Sequence, residues 1–402
     1  MSTTIETPEA GILTPAPSGE SIASSARQPQ ASLRDFSMVI ALVLIWGFFW
    51  YMSPTFVSAR NLSNLTVELS ITAILALGML LIILTGHIDL SIGSGVGLFG
   101  GISAVLLFEH NWPAPGAMAL AMVVAVLVWL GMGALIVTQR IPAFIITLAG
   151  LLVFKGLHWK VIHNATIPVT IGGTDNIYSL LTTWYLPPLS GWVLGAVVFG
   201  ALAVGSFRAR QRRASFGLNV EPADLAISHL LIQGQIILLF VLVCNQYQGI
   251  PLSAIILGVA AFAVWVLSQH TRFGRYLYAI GGNEEAAHVS GIPVNKVVIG
   301  AFGIMGLIVA LGGFMQTAYA GASTTTTGEL LELDAIAACV IGGASLKGGR
   351  GTVSGVLFGS LIMASLLNGM TLMAVAPEEK YIARGLVLAL AVLMDIKLSR
   401  GK

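Results

Sequence analysis

The chain has 402 residues, 56% of them hydrophobic and 9% charged, and its mean hydropathy is +0.88. Soluble domains carry about 25% charged residues, so most of this chain must face lipid or other buried helices. A net charge of +2 gives no support to nucleic-acid binding.

Residues 1–35 are polar, rich in Ser, Pro and Ala, and hold no apolar stretch of the signal-peptide kind. A disordered cytoplasmic tail is expected there. Twelve apolar runs follow: 36–52, 69–85, 92–108, 116–137, 143–157, 191–207, 227–244, 252–267, 297–317, 333–344, 353–373 and 381–396. A full crossing takes roughly 20 residues, so 143–157 and 333–344 are expected to be short, broken or re-entrant. The expectation is an all-α polytopic membrane protein with about ten full spans, twelve being the upper count. Either count puts both termini on one side. Basic residues make that side cytoplasmic: Arg140, the RARQRR run at 208–213, Arg272 and Arg275, Lys296, Lys397, Arg400 and Lys402. Lys155 and Lys160, at the outer end of a span, break the rule and are expected to snorkel.

Along the chain, TGHIDLSIGSG at 85–95 interrupts two spans. Asp89, followed by Ser91 and Gly93, suits the cap of a helix starting near Leu90, or a polar step on a pathway. Asn368 is a single amide in a long apolar helix, as helix–helix hydrogen bonding requires. The hydrophilic insert 208–226 reads either as an amphipathic segment on anionic lipid or as a solvated linker. The 269–296 loop is the most informative. Asn283 is a good N-cap, Glu284 and Glu285 put negative charge in a first turn, Ala286 and Ala287 favour helix, and Ser290-Gly291 before Pro293 ends it. A helix of about seven residues is expected, either to dock a soluble partner or as an incidental turn in a solvated connector.

GGASLKGGRGT at 342–352 is Gly-rich but lacks the Lys-Ser/Thr ending of a phosphate-binding loop, so a tight turn with close helix packing is expected and no nucleotide hydrolysis. No cofactor or metal cluster is suggested. Cys244 and Cys339 lie in separate apolar runs, as buried small hydrophobes do. Ion-driven carriers need ionisable groups deep in their spans. Here Asp89, Asp334 and Lys155 are the main candidates, each near an end. Energy must come from elsewhere, or the chain is a passive pore.

The strings TGHIDLSIGSGVG, GGNEEAAHVSGI and VIGGASLKGGRGTVSGVLFGSLIMASLLNGM resemble the permease subunits of bacterial sugar ABC importers, over residues 36–397. The resemblance implies a type II importer fold. It also implies a homodimer in the bacterial inner membrane, two cytoplasmic ATP-binding subunits and a periplasmic sugar-binding protein. It makes 283–291 the coupling helix that enters a groove on the ATPase. Chain length, polar tail and the 208–226 insert are most similar to D-xylose permeases. The rival readings are a branched-chain amino-acid ABC permease, an ion-driven sugar carrier and a non-transporting membrane scaffold.

Overall fold

A computed structural model describes residues 33–170, 174–220 and 222–400. Most of the expected tail, 1–32, lies outside them, whereas residues 33–35 already belong to the first helix. The described residues form fifteen α-helices: α1 (Leu33–Met52), α2 (Ala59–Leu84), α3 (Ile92–Phe108), α4 (Ala114–Gln139), α5 (Ala143–Val161), α6 (Ile177–Thr183), α7 (Pro188–Ser215), α8 (Ala223–Asn245), α9 (Leu252–His270), α10 (Arg272–Gly282), α11 (Glu284–Val289), α12 (Val294–Ala320), α13 (Leu331–Ile341), α14 (Val353–Leu372) and α15 (Pro377–Arg400). Eight are long and apolar enough to cross a membrane, and the shorter apolar stretches Met38–Met52 and Ile92–Phe108 bring the number to about ten.

Two helices carry the core. α2 and α12 are almost wholly buried, α2 against α12, α13 and α14, and α12 against α3 and α4. An apolar helix buried on all sides needs no amphipathic stripe, and neither has one. Around them α4, α5 and α9 each turn one face to the core and leave large apolar side chains exposed, as lipid-facing helices do. α2 begins well before the apolar run at 69–85. Ser58 accepts the Asn61 N–H at 3.3 Å and starts the helix early, so Asn61, Ser63 and Glu68 become helical.

Two expectations about length divide. The 143–157 run forms the continuous 19-residue α5 and is a full-length span candidate, because Thr147, Lys155 and His158 find partners within the fold. The 333–344 run forms only the 11-residue α13, preceded by the non-helical passage 321–330. The insert is not a separate surface segment: residues 208–215 continue α7, which folds back on α8 as a peripheral hairpin. Val241, Cys244 and Ile250 form a small core of their own where α8 meets the next strand.

Two short antiparallel pairings clamp one end of the bundle. β1 (Ile167–Pro168) pairs with β4 (Ala322–Ser323), and β2 (Tyr185–Leu186) pairs with β3 (Ile250–Pro251). The β2–β3 pair sets the starts of α7 and α9 side by side, so their far ends and α10–α11 lie at the opposite end.

Candidate functional site

α10 and α11 form one capped unit between α9 and α12. Thr271 accepts the Gly274 N–H at 3.1 Å and starts α10; Asn283 accepts the Ala286 N–H at 2.9 Å and starts α11. Glu284 and Glu285 lie in the first turn of the six-residue α11. Ser290 follows the last turn, its N–H bonded to the Ala286 carbonyl at 3.0 Å, and Gly291 adopts φ +80° before Pro293 opens α12. Cap, acidic turn and stop all stand where the spacing put them.

The face differs from the expectation. A helix that enters a groove along 283–291 would present its small residues to the partner, yet Ala287 is buried within this chain, 4% exposed. Glu284, Glu285, Ala286, His288 and Ser290 face outward, and Val289 is 87% exposed. The reason is the one-sided seat of α11: position 287 is the inward side of a two-turn helix.

The seat is a three-way joint. Gly281, at the end of α10, abuts the Leu84 carbonyl and the Gly349 amide so closely that any side chain there would collide with both. Gly349 donates its N–H to the Leu84 carbonyl at 3.1 Å. The Tyr278 hydroxyl donates to the Gly351 carbonyl at 2.8 Å and accepts from Gln269 at the same distance. The Gly-rich 342–352 segment is thus a tight turn closing on α2 and α10. His87 belongs to the same joint: its Nδ1 donates to the Thr85 carbonyl at 3.0 Å. Burial pushes the imidazole pKa below its ordinary value, opposed by that carbonyl and by the charge of Glu284.

Just beyond this joint, residues 86–91 are not helical. Asp89 does not cap a helix beginning at Leu90. α3 begins at Ile92, with Ser91 before it and no side-chain cap. Asp89 Oδ1 instead accepts from the Ser91 N–H at 2.8 Å and the Ser91 hydroxyl at 2.5 Å, and Oδ2 accepts from Trp129 Nε1 at 2.7 Å. A fully buried carboxylate needs such partners, and the indole on α4 is one that sequence spacing cannot indicate. Gly93, in the first turn of α3, lies against Glu332 and Gly328.

Asn368 is at the other end. Its Oδ1 accepts from Asn61 at 2.9 Å, its Nδ2 donates to Glu68 at 3.1 Å, and the Tyr319 hydroxyl donates to Glu68 at 2.7 Å. Glu68 stands about 24 Å of helix before Leu84 along α2, so this network is well separated from the joint. The structure therefore brings Asp89 and Ser91 together with Trp129, sets Gly93 against Gly328 and Glu332, and leaves Asn368 apart. Asp334 neither caps a helix nor stands free: it pairs with Arg384 of α15 at 3.1 Å. Reading by spacing passed over Glu332, Glu68 and Arg384; Arg384 is a charge within an apolar run, and the two glutamates stand just ahead of one. Among the described residues no cluster could hold a metal ion.

A family described as "Branched-chain amino acid transport system / permease component" matches residues 61–392. The chain belongs to this permease family. It is similar to the xylose transport system permease protein XylH of Escherichia coli, 38% identical over 90% of this chain and 92% of that protein. The protein of the same name from Haemophilus influenzae is also 38% identical, over 90% and 96% of the two chains. The ribose import permease protein RbsC of Escherichia coli is 33% identical over 92% and 95%. No solved structure matches. The permease is all-α and multi-pass, as the composition and helix lengths require.

Proposed function

We propose that this permease is the membrane subunit of an ATP-driven pentose importer, D-xylose being its substrate. It works as a homodimer in the bacterial inner membrane, with both termini cytoplasmic. A periplasmic binding protein delivers the sugar and a cytoplasmic ATP-binding subunit drives its passage. The observation that carries the reading is likeness along nine-tenths of the chain to proteins named as xylose permeases, together with a capped helix offered outward on a basic loop. Arg272, Arg275 and Lys296 around α11 favour the cytoplasmic side for it.

The chain's own contribution is transmission. A push on α11 reaches Gly281 within a few residues, and from there the end of α2 and the 342–352 turn. α2 runs on through the whole core. The joint is bonded through backbone groups, so displacement of α11 is passed on as rigid motion of α2, not absorbed by side chains.

The test is uptake of labelled xylose by proteoliposomes holding the permease, its ATP-binding subunit and its binding protein. Uptake should need ATP and survive an uncoupler. Uptake of branched-chain amino acids without sugar uptake refutes the substrate. Collapse on uncoupling with ATP intact refutes the energy source.

A further inference from the structure

We infer that Trp159, Lys155, Glu329 and Thr326 form a sugar-contact surface on the translocation path, at the broken passage between α12 and α13; this rests on the importer reading above. Four observations converge on it. First, residues 321–330 are non-helical although they join two buried apolar helices. Irregular backbone at membrane depth survives only where protein buries it or where it lines a watery cavity. This passage is packed on one side and open on the other. The inner side is packed: Gly328, at φ +85°, leaves no room for a side chain against the Gly93 carbonyl and the Gly97 amide of α3. β1 and the His158–Ser323 contact at 3.1 Å hold the start of the passage. The outer side, with Thr326 and Glu329, is exposed.

Second, this exposed side carries charge. Lys155 and Glu329 pair at 3.3 Å with side chains 40% and 35% exposed. Charged groups on a spanning helix face a bundle interior or a water-filled cavity, not lipid. Lys155 does not snorkel away as the sequence suggested; it turns to Glu329, with its ammonium 5.7 Å from the centre of the Trp159 ring.

Third, the chemistry suits a monosaccharide. A pyranose has a C–H face that packs on an indole and a rim of hydroxyls that need donors and acceptors. Trp159 is 40% exposed and is held in place by its Nε1 donating to the Thr325 carbonyl at 3.0 Å. Lys155 donates, Glu329 accepts, and the Thr326 hydroxyl does both. Fourth, transporter sites are commonly built from interrupted helices, and α13 with its preceding passage is such an interruption. Without sugar, Lys155 and Glu329 satisfy each other; a sugar hydroxyl can enter between them.

Two measurements test this. Cys244 and Cys339 are both buried, so Thr326→Cys supplies a single accessible thiol. A membrane-impermeant thiol reagent should modify it in the assembled complex. Modification only by a lipid-soluble reagent would place this face in lipid and overturn the proposal. In proteoliposomes of the full complex, Trp159→Ala and Glu329→Gln should each raise the half-saturating sugar concentration or lower uptake by about tenfold, the loss of one hydrogen bond or stacking face. Trp159→Phe, which keeps a ring, should restore most uptake and shows that the fold is intact. Normal uptake in both variants overturns the sugar surface alone. No uptake by the unaltered complex is instead a failure of the importer reading, and the thiol result still stands by itself.

Discussion

Asp89 uses both carboxylate oxygens inside the protein, and that decides which substitutions it tolerates. Asn could keep the Ser91 bonds, but its amide NH2 would then face the Trp129 N–H, donor against donor. Asp89→Asn should therefore cost about 1–3 kcal/mol, close to Asp89→Ala, where a simple cap would accept Asn freely. Thermal unfolding in detergent measures it. With Trp129→Phe as partner, the double variant should lose less than the sum of the two singles; strict additivity would deny the bond. His87 adds a pH dependence. Its folded pKa is depressed by burial, so the unfolded chain takes up a proton near pH 6.5 while folded His87 does not. The stability it confers is complete above that pH and is lost as pH falls through the depressed value. The unfolding midpoint should drop between about pH 7.5 and about pH 5.5, and drop less in His87→Gln. Equal slopes in the two proteins would exclude His87 as the source.

Among elements, the join of α13 to α15 rests on an ion pair whose Asp334 carboxylate is 1% exposed. Removing one partner leaves a buried charge alone. Arg384→Met should cost about 3–5 kcal/mol, and Asp334→Leu with Arg384→Met much less. If the double variant melts as low as the single, the pair is not what the single variant loses. Elements also show how far sequence reaches. The cap, acidic turn and stop of α11 are local and were legible in ten residues. The side of α11 that is buried depends on α2 and the 342–352 turn, so Ala287 could not be placed. The same holds for Asp89: its residue type announced a need for donors, but Trp129 lies on another helix. Lys155 showed its charge in the sequence and hid its partner, because Glu329 belongs to a passage that reads only as polar.

At the scale of the whole molecule, assembly should turn on Val289. It is the exposed large apolar side chain of α11, and docked interfaces concentrate their energy in such anchors. Val289→Asp should leave the permease folded but weaken retention of the ATP-binding subunit by at least about tenfold, or about 1.4 kcal/mol. Ala287→Glu should instead unseat α11 and lower the melting point as well. Co-purification and melting, measured together, separate the two. Equal retention by Val289→Asp and the unaltered chain would remove α11 as the docking helix. The α7–α8 hairpin has a different consequence, one that concerns biosynthesis and handling. Its two helices pack chiefly on each other and meet the rest through α2, α9 and β3. Such a unit can enter the membrane as a pair while the C-terminal half is still on the ribosome, and settle against α2 afterwards. Its described tip, residues 216–220, stands at the same end as α10–α11 yet outside their joint. A reporter spliced into that tip should be tolerated where one in 342–352 is not, and would show from a living cell which side of the membrane this end occupies.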